Sequence, residues 1–270
     1  MRNILVPLEP DGGSDATLAA AWEIGRQYGG YVEGLSLAPP PAAVVVADVP
    51  IGSNEFDARV RAETEAKARA LFDRFVAGRA AAGDGGVAHG WSESQTIADV
   101  GAYARVFDLT VVGRPAGDTG DPRRATLEAV LFESGRAILI VPPAPFATIG
   151  RTILIAWNRA TETARAVALA KPMLRRAERV YVFDVPMRTA GPSAAMLVQA
   201  LGRDGIAAEE VTPDDLSGAA GPLILREAGR LGVDLLVKGG YTQSRLRQLI
   251  FGGATSHILS AAQLPVFMSH

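Results

Sequence analysis

The sequence contains no cysteine. That excludes disulfides, thiolate nucleophiles and cysteine-ligated metal outright. Histidine is nearly as scarce, being found only at His89, His257 and His270, and no two of these share the spacing of a metal-binding pair. No metal site and no catalytic residues are therefore expected. There is no Gly-x-Ser-x-Gly nucleophile elbow, and no lysine in the P-loop position after a glycine-rich loop. No apolar run approaches the ~20 residues of a membrane-spanning helix. Charge of one sign is not in excess either. Lys and Arg total 27 against 29 Asp and Glu, a formal net charge of -2, which lacks the basic footprint of a nucleic-acid binder. The opening "MRNILVPLEP" has none of the three regions of a signal peptide. A reducing, cytoplasmic setting is expected.

What is present is enough chain for two domains. The 270 residues are 48% hydrophobic and 21% charged, an ordinary globular composition. The chain also repeats itself. "ILVPLE" at residue 4 answers "ILIAWN" at residue 153, and both lead into Ala-rich segments. "FDLTVVGRP" at 107 answers "VDLLVKGGY" at 233, and "AILIVPP" at 137 answers "PVFMSH" at 265. One unit spans residues 1–146 and a second spans 151–270, joined by the Pro- and Gly-bearing "PPAPFATIG" at 142–150.

Each unit reads as five strands alternating with four helices. In the first, "NILVPL", "YVEGLSL", "GVAHGW", "LTVVG" and "AILIVP" are the strands. The third strand is expected to end at Trp91, with a helix opening after Ser94. Apolar periodicity and i,i+4 charge pairs predict a long helix over 56–83. The strands are mostly Val/Ile/Leu runs, as required when helices cover both faces of a parallel sheet. The expected fold is α/β, with two tandem doubly wound, open, parallel five-stranded sheets. In such sheets ligands sit at the carboxyl ends of the strands, near the switch in strand order.

In the second unit the fourth strand ends at Gly239, followed by "GYTQSRLRQLIF", then Gly252-Gly253 and a helix. Glycines let backbone N–H groups approach an anion, and a helix N-terminus offers further donors. Ser244, Thr255 and Ser256 would add hydroxyl donors, and Arg245 and Arg247 charge. The stretch also reads as a plain strand-to-helix connection. Asn158 follows the unit's first strand and suits either a ligand contact or a turn. Val185 is, by itself, a strand-end valine.

This ordered set, on a tandem five-stranded α/β unit, resembles the universal stress protein family. That fold is adenine-nucleotide α-hydrolase-like, a Rossmann-like variant. The resemblance covers both units and implies that Gly239, Thr242, Ser244, Gly252, Gly253 and Thr255 wrap the phosphates and ribose of ATP, or of AMP or ADP, with Mg²⁺ held through the phosphates. It further implies that Asn158 lies near the nucleotide and that backbone groups of Val185 meet the adenine edge. Two positions depart from the family pattern: Thr242 replaces a glycine, and Gly253 stands where Ser or Thr is usual. A Cβ at 242 would crowd the phosphates if φ there is positive, while its hydroxyl would add a donor. The family also implies an intramolecular pseudo-dimer through the last strands of the two units, with homodimers as a further step.

The first unit reads as degenerate. Gly113 matches Gly239, but Ala116 and Arg124 stand where the loop glycine and the helix-opening glycine would be. Pro115, Pro122, Asp118 and Asp121 remove donors or repel phosphate. Arg123 and Arg124 suit an anion contact or a solvated turn. Glu9 ends the first strand. The loop 38–57 after the second strand is expected to be a lid, a partner surface or an excursion. Three readings follow: a stress-response protein binding adenine nucleotide through its second unit, a scaffold of the same fold that binds none, and a weak ATPase.

Overall fold

In a computed structural model the structure describes residues 1–9, 14–38, 44–46, 49–51, 54–115, 121–185, 190–213, 216–240 and 253–270. The first unit contains β1 (Asn3–Leu8), α1 (Ser14–Tyr28), β2 (Tyr31–Ala38), β3 (Val44–Val46), β4 (Val49–Ile51), α2 (Asn54–Ala81), β5 (Ala88–Thr96), α3 (Ile97–Tyr103), β6 (Leu109–Gly113), α4 (Pro122–Glu133) and β7 (Ala137–Val141). The second contains β8 (Thr152–Trp157), α5 (Thr161–Leu174), β9 (Arg179–Asp184), α6 (Ala194–Arg203), β10 (Glu209–Val211), α7 (Ala220–Arg230), β11 (Leu235–Gly239), α8 (Ala254–Ala261) and β12 (Val266–Ser269).

In the main sheet both halves have the strand order third, second, first, fourth, fifth, and every pair of that sheet within a half is parallel. The two fifth strands meet: β12 runs antiparallel to β7, with Phe267 opposite Leu139. The two five-stranded sheets expected from the sequence are thus one continuous sheet of ten strands. Both strands at the junction are buried along their whole length, so each closes the edge the other would expose.

Alternation along the strands divides the apolar side chains between two layers. Ile4, Val6 and Leu8 face one layer with Trp22 of α1, Phe72 of α2 and Val167 of α5. Leu5 faces the other with Val130 of α4, Ile224 of α7 and Ile258 of α8. Each layer draws residues from both halves, so they share one core. The segment joining them is fastened down. Asp234 accepts from the amides of Gly150, Arg151 and Thr152 and from the Thr148 hydroxyl. Asp108 accepts from the amides of Arg2 and Asn3 in the same way. The Asp in both copies of the fourth-strand motif therefore ties down the chain that leads into the first strand of its own unit.

One expectation needs correction. β5 continues past Trp91 to Thr96, and the helix begins at Ile97, capped by the Thr96 hydroxyl. Ser92, Glu93 and Gln95 are polar because β5 is an edge strand, paired only with β2. An apolar-run criterion therefore stops too early. Within 38–57, the loop carries an antiparallel pair, with Val44 opposite Ile51.

Candidate functional site

In the second half the strand order reverses between β8 and β11, which makes a crevice at their carboxyl ends. Asn158 stands just past β8. Its side-chain oxygen accepts from the Ala160 amide at 3.1 Å and from the Thr163 hydroxyl. Ala160, the cap residue of α5, has no capping side chain; the Asn158 side chain instead closes a turn onto the Ala160 amide and ties to the Thr163 hydroxyl. Arg159 then turns the chain with φ +66°. Its guanidinium reaches Asp184 at the end of β9, 2.6 Å away, bridging the two strand ends. Glu162, in the first turn of α5, is 8% exposed, and its Oε2 has no partner among the described residues. The helix N-terminus is the place that best tolerates such a carboxylate.

Val185 is buried, and its amide donates to the Trp157 carbonyl at 2.8 Å, prolonging the β8–β9 ladder. Any backbone contact from Val185 to a base edge must therefore come from its carbonyl.

Gly239 ends β11, where a Cβ would lie 2.6 Å from both the amide nitrogen and the hydroxyl of Thr163. Glycine is required there because the start of α5 packs on the strand end. Gly240 donates to the Ser269 carbonyl at 2.7 Å. Gly253 begins α8 with φ +82° and ψ −157°, a conformation open essentially to glycine alone. That accounts for glycine where the family resemblance leads one to expect Ser or Thr. Thr242, Ser244 and Gly252, with Arg245 and Arg247, lie outside the described residues.

One site residue escaped the sequence reading. Lys238, the penultimate residue of β11, is 6% exposed. It shares a face with Leu236, toward α7 and α8. Its Nζ donates to the Thr255 hydroxyl in the first turn of α8 at 2.9 Å and to the Gly239 carbonyl at 2.7 Å. Among the described residues no carboxylate forms an ion pair with it, and from Leu235 to His270 the sequence contains no Asp or Glu. Burial lowers the Lys238 ammonium from 10.5 to about 7. The available signal was a single cation in "LLVKG" where the matching strand of the first unit, "LTVVG", has Val112.

The matching region of the first unit is arranged oppositely. Asp121 caps α4, accepting from the Arg123 amide and pairing with its guanidinium at 3.0 Å. Arg124 pairs with Glu128. The Glu9 carboxylate accepts from the Thr126 hydroxyl on α4 at 2.8 Å. Here the protein's own acids sit where α4 begins, whereas α8 begins with a glycine, a buried cation and no acid.

Among the described residues, no group of three or more His, Asp or Glu is placed to hold a metal. His89 packs against Trp22 and Phe72, and His270 against Phe132. No helix in the described residues is long and apolar enough to cross a membrane.

No sequence-family profile matches the chain, and no curated protein matches it. Solved structures do. A universal stress protein from Archaeoglobus fulgidus DSM 4304 superposes with a TM-score of 0.71 at 15% identity, covering 98% of this chain and 95% of that one. A candidate universal stress protein from Pseudomonas aeruginosa UCBPP-PA14 gives 0.56 at 16% identity over 99% and 92%. A protein of unknown function from Pseudomonas aeruginosa PAO1 gives 0.54 at 16% over 99% and 92%. At these identities the likeness is one of fold, and it extends over both units.

Proposed function

We propose that this chain, which has the universal stress protein fold from end to end, is a tandem member of that family and binds an adenine nucleotide through its second unit. ATP is the first candidate, with AMP or ADP as alternatives. The observation that carries this reading is the start of α8. There a glycine-led helix N-terminus, a buried lysine and two hydroxyl-bearing residues, Thr255 and Ser256, lie on a segment that has no Asp or Glu from Leu235 to His270. A helix start with unpaired donors and a nearby cation is chemically suited to phosphate. Mg²⁺ would enter with the phosphates, because this segment has no carboxylate to hold it. The chain's own part is to bind and orient. No paired carboxylates or activated nucleophile support a dedicated hydrolase.

The test is melting of the full chain with millimolar ATP. A ligand at a hundred times its Kd adds about 2.7 kcal/mol, a readable rise in Tm. Gly252→Asp is expected to abolish that rise, because the family resemblance puts Gly252 among the residues that wrap the phosphates, which an added carboxylate would repel. An unchanged Tm in the parent protein overturns the reading. The scaffold alternative draws support from Asn158 and Val185, whose oxygen and amide are already engaged within the fold.

A further inference from the structure

The chain carries its positive charge almost wholly as arginine, with 24 arginines and only three lysines, Lys67, Lys171 and Lys238. Lys67 and Lys171 are ion-paired at the surface with Glu63 and Asp204. The third is buried at the end of β11. Arginine would hold its charge there at any physiological pH, and lysine is the cation that can lose it. The fold itself does not ask for a cation at this place, since the matching strand of the first unit carries Val112 and is buried along its whole length.

We propose that Lys238 is a proton-linked floor for the anion site at the start of α8. It is charged when a polyphosphate is bound and largely neutral when the site is empty at mildly alkaline pH. This rests on the nucleotide reading above and adds to it a control by pH. The geometry is that of a cation held under the helix start by Thr255 and the Gly239 carbonyl, with no counter-charge among the described residues. The charged groups on the surrounding elements do not supply one. On α5, Arg165 bonds the His270 carbonyl, Lys171 pairs with Asp204, and Glu162 forms no ion pair with Lys238. On α7, Glu227 is held by Arg230 and Arg226. α8 contributes only His257, while β8 and β12 contribute no charged side chain. Burial is accordingly the only cause of the lysine's lowered proton affinity. An entering oxyanion reverses it, so binding takes up a proton.

The consequence is a pH slope. With the empty-site ammonium titrating at about 7, affinity for a polyphosphate falls about tenfold from pH 6 to pH 8, toward a limit of tenfold per unit. The experiment measures Kd of the full chain for ATP and for inorganic tripolyphosphate at pH 6, 7 and 8, beside Lys238→Met. The matching strand of the first unit carries the apolar Val112, buried, at the corresponding position. The comparison with Lys238→Met subtracts the pH dependence common to both proteins, so the difference reports on Lys238. The expected result is the tenfold fall in the parent protein, with weaker and pH-flat binding in the variant relative to that fall. In parallel, ¹³C-lysine NMR of three resolvable side chains should show Lys238 titrating near neutrality and moving up on saturation with tripolyphosphate. Equal slopes in the two proteins, or a Lys238 titration that bound ligand does not move, overturn the inference and leave nucleotide binding standing. Tripolyphosphate binding with the slope but no ATP binding sustains the inference and removes the nucleotide. If neither ligand binds, both fall.

Discussion

Arg114, the first residue past β6, donates from its guanidinium to the carbonyl of Ala262, the C-cap of α8 in the other unit. α8 is thus held at one end by Lys238 through Thr255, and at the other by a residue of the first unit. A helix of eight residues has little stability of its own, so such end contacts decide whether it forms. Replacing Arg114 with Met should cost about 1.5–3 kcal/mol, the range for a hydrogen bond from a charged group. Urea unfolding of the full chain reads this directly, and an unchanged midpoint would show that the contact contributes nothing.

The two strand-end glycines should differ sharply. A Cβ at Gly239 lies 2.6 Å from backbone and side-chain atoms of Thr163, whereas one at Gly113 meets the Arg123 and Thr17 side chains at 3.3 Å. Gly239→Ala is expected to destabilise by about 1–3 kcal/mol, because the α5 backbone must shift. Gly113→Ala should cost under about 1 kcal/mol. Paired denaturant curves check the ranking.

Asp234 and Asp108 are matched in sequence and unequal in load. Asp234 accepts four bonds from Thr148, Gly150, Arg151 and Thr152, and Asp108 two from Arg2 and Asn3. Asp234→Ala should lower stability by roughly 2–4 kcal/mol, more than Asp108→Ala, since it strands more donors. Burial works to raise the Asp108 carboxyl, but the two amides and the terminal ammonium hold it below its ordinary value. Its contribution is therefore present above the ordinary carboxylate range and lost as pH falls through the lowered value. A stability profile in acid for Asp108→Asn, flatter than that of the parent, is the check.

Lys238 makes an opposite prediction in the apo protein. Its folded value, about 7, lies below the unfolded 10.5, so the unfolded chain binds more protons between these limits. The penalty is full below pH 7 and relaxes as pH rises. Stability relative to Lys238→Met should therefore climb from pH 7 toward pH 10 by up to about 1.4 kcal/mol per unit. Urea midpoints of both proteins across that range test it, and parallel curves would place the lysine in contact with water.

Much of this was legible in residues. The paired "VPL"/"IAW" and "DLTVV"/"DLLVK" runs reveal a unit used twice, and the Asp in each copy proves to fasten the chain before its own first strand. In the first unit Asp121, read from the sequence as hostile to phosphate, caps α4, and Glu9 accepts from Thr126 on that helix. Asn158 suits a ligand contact or a turn, and its side chain closes a turn onto the Ala160 amide. β5 was cut short because an edge strand needs no apolar face on its polar side.

The order of strands and helices in each half follows from local information: apolar runs, breakers and periodicity act over a few residues and are written in the chain. Whether a charge is solvated or buried is not local. Lys238 differs from any exposed lysine only because α8 returns from beyond Gly252 to cover it, and the joining of β7 to β12 likewise depends on two surfaces meeting across half the chain. Burial sets the cost of a charge, and burial belongs to the assembled fold.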